Sequence, residues 1–262
     1  MGDTIVPKTL EEHRQYLFDI VRLELWFVHH ADATEPEADP RLILRRCVNI
    51  FAQTAYRGEL RCPPEGHWDE HPDWIEIENR ILELRQSFVA DAVGFENAAF
   101  NLLRDSVSAV AEADFNSPPL YPANCGCFRI EDQPGHDGTI MFHIGNDCAP
   151  QSFLSDAGHV HDCLLRLVAA AAERGAIGIR TGSWLNSHPK FLSFFPPEWN
   201  ASREVPMTGV AWHLGYWGQF INARGVLHVR NADTFRRTGV MPFAFARSCI
   251  DLNVMRQWLT GF

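Results

Sequence analysis

The sequence lacks the features that define membrane, nucleic-acid-binding and disulfide-rich proteins. It contains no run of 18 apolar residues, the length that a membrane-spanning helix needs, and its N-terminus has no basic and apolar signal region. Positive charge is scarce, with 23 Lys and Arg against 33 Asp and Glu. Without a basic stripe, the chain is not expected to bind nucleic acid. We therefore expect a cytoplasmic protein with neither a membrane nor a nucleic-acid partner.

Metal-ligand motifs are scarce as well. The seven cysteines include no Cys-x-x-Cys pair, and Cys125-Gly126-Cys127 stands alone, so neither a zinc ribbon nor a thioredoxin-type site is predicted. Their odd number and scatter favour free thiols. No Glu-x-x-His pair occurs, and Pro72 directly after His71 argues against a helical metal pair of His67 and His71. The sequence therefore predicts no metal ligands.

Charge and periodicity divide the chain near residue 118. Residues 1–118 hold 22 acidic and 11 basic residues (22 − 11, a net charge of −11), whereas residues 119–262 hold 11 and 12 (net +1). The first part has apolar residues at helical spacing, with a second helix expected from Pro40 to near Gly58 and a third from Asp73 that breaks near Gln86 or Gly94. We predict an acidic helical lobe at 1–118 and an α/β mixed-sheet lobe at 119–262.

The second lobe alternates strands and helices, which is typical of a mixed sheet covered by helices in the α+β and α/β classes. A hairpin of strands 128–130 and 139–146 is followed by a helix at 156–174 and a strand at 176–185, expected to form a right-handed parallel crossover. Further elements are predicted in order: a short helix at 189–195, strands at 211–221 and 226–230, a helix at 232–237, a strand at 243–250 and a helix after Asp251.

The loop after the strand at 139–146 is the first candidate site. Ligands of open α/β sheets bind where strands end and helices begin, which places Asp147 and Cys148 beside a ligand. The backbone there would donate hydrogen bonds, and Cys148 would be a nucleophile next to His143. His143 and His213 are the candidate general bases, because a histidine at a strand end titrates near neutral pH.

Arg180 and a group of aromatic residues complete the predicted pocket. A guanidinium in a central strand must meet either a carboxylate or a ligand anion, so a structural ion pair and an anchor for substrate both remain open. The pocket walls are predicted from rings that occur close to glycines. They are Trp184, Trp212, Tyr216 and Trp217.

A metal-dependent site is the alternative. Glu24 and Glu96 fall on apolar stripes of neighbouring helices, as in carboxylate-bridged bundles. On the helix at 156–174, His161 lies in the apolar stripe and is expected to be a satisfied core residue. His159 is expected to point with Arg166 toward water, so the two histidines do not form one chelating face.

From Thr139 to Phe195 the order of strand, loop, helix and strand, followed by Asn186 and a short helix ending in aromatics, resembles GNAT-type N-acyltransferases. The resemblance implies an acyl-CoA pyrophosphate on the loop and helix N-terminus after the central strand. The family's Arg/Gln-x-x-Gly-x-Gly/Ala motif is absent, since the corresponding stretch here is Gln151–Asp156, so the cofactor stays unassigned.

Together these observations predict an enzyme that modifies a small molecule with an anionic group. The expected reaction is acyl or group transfer with a histidine general base and Arg180 as the anion anchor. The alternatives are a metal-dependent enzyme with histidine or carboxylate ligands, and a non-catalytic protein that binds a ligand or partner. Substrate and oligomeric state do not follow from the sequence.

Overall fold

The computed structural model describes residues 8–34, 39–61, 63, 66–118, 124–205 and 214–261. Its helices, in chain order, are α1 (Leu10–Thr34), α2 (Pro40–Arg46), α3 (Pro72–Ser87), α4 (Ala92–Asn116), α5 (Ala157–Glu173), α6 (Pro189–Leu192), α7 (Pro197–Ala201), α8 (Leu214–Trp217), α9 (Val229–Thr238) and α10 (Leu252–Thr260). Its strands are β1 (Phe128–Ile130), β2 (Thr139–Ile144), β3 (Gly178–Ser183) and β4 (Ala246–Asp251). The mixed α and β class is thus confirmed.

The described chain divides into two compact units, and the division differs from the predicted domains. The helical unit comprises Pro7–Pro118 together with Thr208–Pro242, and the α/β unit comprises Pro119–Met207 together with Phe243–Phe262. Residues 208–242 were assigned to the second lobe because they follow the sheet segments in the sequence. In the described part of this segment, Trp217, Phe220, Ala232 and Phe235 are buried in the core of the helical unit, so the units of the structure do not divide at residue 118 as the prediction does.

In the helical unit, the predicted break in the third helix is confirmed. The helix α3 ends at Ser87, and α4 starts after Asp91, whose side chain accepts a hydrogen bond from Gly94 N at 2.8 Å. The third helix starts at Pro72, one residue before the predicted Asp73, and His71 precedes it without a capping side chain. The helix from Pro40 is also shorter than predicted, ending at Arg46.

The strands predicted at 211–221 and 226–230 are not strands in their described parts. Residues 214–217 form α8, Gly218–Phe220 form a 3₁₀ helix, and only one bridge joins Ile221 to Leu227. Trp217 and Phe220 are spaced to lie on one face of a helix, and both are fully buried. Burial of this face in the helical core outweighs the strand propensity of the aromatic residues.

The α/β unit contains a four-stranded sheet in the order β1-β2-β3-β4. The pair β1–β2 is antiparallel and forms the predicted hairpin, whereas β2 and β3 are parallel and joined through α5, as expected for a crossover. The last strand pairs antiparallel with β3, and Asp251 caps α10 as predicted, accepting hydrogen bonds from Asn253 N and Val254 N.

One face of the sheet is buried, and this is the face that orients the site. Ile130, Ile140, Phe142 and Ile179 are almost fully enclosed and share a core with the apolar stripe of α5. Because α5 follows β2 and packs on this face, its first turns are held close to the loop that leaves β2.

Candidate metal centre

Five side chains of the α/β unit gather where β2 ends and α5 begins. We call them the Cys–His cluster: Cys127, Asp147, Cys148, His159 and Cys163. Cys127 precedes β1, Asp147 and Cys148 lie in the loop after β2, and His159 and Cys163 lie one turn apart on α5. Residues far apart in the sequence therefore meet at one end of the sheet.

Backbone hydrogen bonds hold the two loops of this cluster together. Gly145 N donates to the carbonyl oxygen of Cys127 at 2.9 Å, which ties the start of β1 to the end of β2. The Asn146 side chain then accepts from Cys148 N at 3.3 Å and from Phe153 N at 3.1 Å. These hydrogen bonds hold the backbone of Asp147 and Cys148 in place. They do not use the side chains of these two residues.

The N-terminus of α5 presents the other two ligands. Asp156 caps the helix by accepting from His159 N at 2.9 Å. Residues four apart on a helix lie on the same face, so this cap also sets the direction of His159 and Cys163.

All contacts of His159 in the cluster use the same ring nitrogen. Its Nε2 atom lies 3.0 and 3.1 Å from the two carboxylate oxygens of Asp147, and 3.4 Å from Cys163 Sγ. In a Cys-His-Asp catalytic triad the base would meet the nucleophile with one ring nitrogen and the carboxylate with the other. Convergence of sulfur and oxygen on a single nitrogen is instead the arrangement of ligands around one cation.

The spacing of the ligand atoms fits a metal ion. Cys127 Sγ, Cys163 Sγ and His159 Nε2 all lie within 4.8 Å of one another, as do the ligand atoms of Asp147, Cys148 and His159. A tetrahedral zinc ion, with Zn–S bonds near ~2.3 Å and Zn–N bonds near ~2.0 Å, separates its ligand atoms by roughly 3.3–3.8 Å. Thiolate and imidazole ligands select zinc and other soft or borderline metals over calcium or magnesium.

One side of the cluster is buried, and the other side is exposed to solvent. Cys127 and Cys163 are fully buried, whereas the side chains of Asp147 and His159 are 30% and 26% exposed. A metal held by the two sulfurs would thus face solvent on the side of the carboxylate. Closed zinc sites are structural, and sites with a solvent-facing position are catalytic.

The surroundings of Cys127 and Cys148 raise the pKa of both thiols. Burial raises the pKa of Cys127, and the neighbouring Cys163 raises it further. Burial, followed by the carboxylate of Asp147, raises the pKa of Cys148. A divalent cation reverses both effects, since it favours thiolates. Arg166 adds positive charge, with Nη2 at 3.5 Å from Cys163 Sγ.

Gly126 is required where the chain passes closest to the cluster. Its φ of +69° lies in the left-handed region, and a Cβ atom at this position would come within 2.3 Å of Cys163 Sγ and 3.2 Å of an Asp147 carboxylate oxygen. The glycine between Cys125 and Cys127 therefore lets the backbone approach the ligands.

Of the predicted site residues, Asp147 and Cys148 lie in the cluster, with Cys148 Sγ 3.6 Å from the Asp147 carboxylate. His143 does not share those contacts: its Nε2 atom meets the carboxylate of Glu131 at 3.0 Å. It lies on the other face of the sheet, where it is paired in register with Arg129. The predicted pairing of Cys148 with His143 is replaced by contacts of Cys148 with Asp147.

Arg180 takes the structural alternative that the sequence left open. Its guanidinium lies 3.2 Å from the carboxylate of Asp137, and the side chain is 39% exposed. Trp184 packs its ring against Phe243 and His188, at centroid distances of 5.4 and 5.9 Å.

Trp217 does not line a pocket, contrary to the prediction. It is fully buried in the core of the helical unit against Phe27, Phe220 and Phe235, and its Nε1 donates to the carbonyl of Cys47 at 3.1 Å. An enclosed ring has no surface to offer a substrate.

Tyr216 packs against the same core, where burial raises its pKa to about 12. The remaining predicted residues, Trp212 and His213, lie outside the described residues.

Glu24 and Glu96 each contact protein groups of the helical unit. Glu24 is fully buried and accepts a hydrogen bond from Gln53 Nε2 at 3.0 Å. Glu96 forms ion pairs with Arg22 at 3.3 Å and Arg236 at 2.7 Å. Each carboxylate has its own partners, so the carboxylate-bridged metal site considered from the sequence has no support among the described residues.

Sequence reasoning missed Cys127, His159 and Cys163. Two signals were present: His159 and Cys163 at i and i+4 on one helix, and thiols at the ends of successive strand segments. The helix wheel placed His159 on a water-facing surface with Arg166, but His159 shares its face with the buried Cys163 and contacts Asp147 in the loop after β2. His161, by contrast, is satisfied by the carbonyl of Leu259 at 3.1 Å.

Among the described helices, none combines the length and apolarity needed to cross a bilayer. Comparison of the chain with protein-family models, curated proteins and solved structures gives no significant match.

Proposed function

We propose that this protein is a zinc-dependent enzyme whose metal is bound by Cys127, His159 and Cys163. The observation that carries the proposal is the convergence of Cys163 Sγ and both Asp147 oxygens on the single atom His159 Nε2. One ring nitrogen cannot hydrogen-bond productively to all of them, but each ligand atom can bind the same cation. Two buried thiolates and an imidazole match the ligand set of catalytic zinc sites that keep an open position.

Asp147 and a water molecule would share the solvent-facing side of the zinc ion. Zinc lowers the pKa of a bound water to ~7, which makes hydroxide available at neutral pH. The half-exposed carboxylate of Asp147 would accept the proton of this water, and Arg166 would attract an anionic substrate. The resulting reaction class is hydrolysis of a small molecule that carries an anionic group.

Metal content tests the ligand assignment. Untagged protein should contain about one zinc per chain by elemental mass spectrometry, and Cys127→Ser and Cys163→Ser should each lose it. Cys249→Ser is the matched control, because that thiol is exposed and lies on β4 outside the cluster. Protein without stoichiometric metal, or full zinc retention in both cluster variants, would overturn the proposal.

The role of Asp147 needs a second measurement. With p-nitrophenyl acetate as a generic hydrolysis probe, Asp147→Asn should keep its zinc but lose ~100-fold or more of the zinc-dependent rate. Equal rates in the variant and the parent protein would rule out Asp147 as the base. Loss of zinc from this variant would instead make Asp147 the fourth ligand and the centre a closed, structural one.

A second candidate is group transfer with His143 as the general base. It is favoured by the contact of His143 Nε2 with Glu131 at 3.0 Å, because a carboxylate that orients an imidazole is a recurring feature of histidine bases. Under this function His143→Ala would abolish a ligand-induced thermal shift while the zinc content stays unchanged. Loss of activity in Cys163→Ser but not in His143→Ala would discard it.

A further inference from the structure

A second pair of possible metal ligands lies in the helical unit. His67 and His71 approach each other through Nε2 atoms that are 3.0 Å apart, with ring centroids 4.6 Å apart and planes inclined by 74°. Two imidazole nitrogens bound to one ion at ~2.0–2.1 Å come about as close, at roughly 3.0–3.4 Å. Neither ring needs to move far to accept a cation between them.

A carboxylate sets the tautomer of His67. Its Nδ1 atom lies 3.2 Å from Glu70 Oε2. A carboxylate can only accept, so Nδ1 carries the hydrogen and Nε2 keeps its lone pair, directed at His71. Histidines that bind metals are oriented in this way by a carboxylate on the other nitrogen.

The local backbone explains why Pro72 does not prevent the pairing. Residues His67–Glu70 form a 3₁₀ helix, and His71 is the residue before α3, which begins with Pro72. The proline occupies the first helical position, where no N–H is needed, and His71 keeps an extended backbone with ψ of 97°. The objection drawn from the sequence applies to a continuous α-helix, and the chain makes two short helical segments here instead.

A cavity of about 200 Å³ adjoins His71. Its lining includes His71, Tyr56, Asp73 and Gly58. A Cβ atom at Gly58 would lie 4.0 Å from His71 Cε1, so the absence of a side chain there leaves room beside His71. Among the described residues, groups of three metal ligands form only at the Cys–His cluster. A cation on the two histidines would therefore keep coordination positions open for water or for a ligand in the cavity.

We propose that His67 and His71 form a second transition-metal site, which binds one divalent ion of the nickel, copper or zinc type through their Nε2 atoms. A small molecule with oxygen donors would complete the coordination from the side of the cavity that His71 lines, and Asp73 and Tyr56 would contact it. Imidazole ligands suit these metals, whereas calcium and magnesium prefer oxygen. The site is independent of the Cys–His cluster and of the function proposed for it.

Calorimetric titration of Ni²⁺ into untagged full-length protein that carries one zinc ion per chain tests this site. One nickel equivalent should bind, and His67→Ala and His71→Ala should each weaken binding at least 100-fold. His136→Ala, which removes an exposed histidine from a turn of the α/β unit, should bind as the parent does. Binding that is absent from the parent, or unchanged in both variants, would overturn the proposal.

Glu70→Gln keeps the test informative if an alanine variant unfolds, because the Glu70 side chain is 72% exposed. Loss of the orienting carboxylate should weaken nickel binding by about 10- to 100-fold without a change in thermal stability. Unchanged affinity in Glu70→Gln would contradict the assigned tautomer. Zinc at the Cys–His cluster should be retained in all these variants, so failure here is distinguishable from failure of the zinc proposal.

Discussion

A single nitrogen atom, His159 Nε2, decides between two chemistries for the Cys–His cluster. A catalytic triad needs both ring nitrogens of its histidine, and a metal centre needs one from each ligand. The contacts to Asp147 and Cys163 at 3.0–3.4 Å all fall on the same atom. The metal interpretation therefore rests on which atom is used rather than on which residue types are nearby.

Gly126→Ala should damage the cluster beyond the ordinary cost of a left-handed residue. A Cβ atom there would lie 2.3 Å from Cys163 Sγ, so zinc content should fall, with a loss of stability larger than the ~1 kcal/mol expected from φ alone. Elemental analysis and urea unfolding measure the two effects. Gly175→Ala is the matched control, since its φ is +75° and nothing lies within 4 Å of its Cβ position. Equal behaviour of the two variants would contradict the close approach.

Glu24 should make the stability of the helical unit fall with rising pH. Burial raises its pKa from 4.5 to about 8, so between these values the folded state holds a proton that the unfolded state has released. The contribution of protonated Glu24 to the free energy of unfolding is fully present below pH 4.5. It is lost as the pH rises toward 8 and changes little above that value.

Glu24→Gln should remove this pH dependence, which urea unfolding at pH 5 and pH 8 measures. The variant should gain most over the parent at pH 8, because the cost of deprotonating a buried carboxyl is gone. Glu83→Gln removes a charge from the exposed face of α3 and should leave the pH dependence as it is. The interpretation fails if both variants keep the dependence of the parent.

At the scale of elements, the N-terminus of α5 connects helix stability to metal affinity. Asp156→Ala should cost about 1 kcal/mol by removing the cap on His159 N, and should also weaken zinc binding because His159 loses its fixed direction. Asp251→Ala removes the equivalent cap of α10 and should cost a similar amount without affecting zinc. A competition titration with a chromogenic zinc chelator compares the zinc affinities of the two variants. Equal affinities would show that the cap of α5 does not affect the metal site.

Elements were predictable where periodicity and end signals agreed. The hairpin, α5, β3 and the start of α10 at Asp251 follow from alternation, turn residues and capping chemistry in the sequence. Residues 214–230 were not predictable in this way, because their aromatic residues fit either a strand or a buried helical face. The choice between the two depends on a core supplied by residues more than 100 positions earlier, which a local pattern does not contain.

Only two of the five residues of the Cys–His cluster were predictable, for the same reason. Asp147 and Cys148 were found because a rule about strand ends marks their loop. Cys127 and Cys163 were missed because their meeting depends on the register of β1 against β2 and on the rotation of α5. No spacing rule in the linear sequence encodes either of these.

At the scale of the whole molecule, the zinc proposal predicts unequal responses of the two units to metal removal. A ligand at ~100 times its dissociation constant stabilises the folded state by about 2.7 kcal/mol. A chelator should therefore speed amide hydrogen exchange in β1, β2 and α5 and leave α1 and α4 unchanged. Mass spectrometry of exchanged peptides measures this. Uniform acceleration across both units, or none at all, would contradict the assignment of the zinc ion to the Cys–His cluster.

The order of the segments also governs how the protein emerges from the ribosome. The helical core is closed by Trp217, Phe220 and Phe235, which are translated after three of the four strands. At a translation rate of ~5–20 residues per second, these rings are synthesised roughly 5–20 s after the helices of the first 118 residues. During that interval their apolar faces stay uncovered, which makes the nascent chain a natural client for chaperones. Truncation before residue 217 would leave the same surface permanently open.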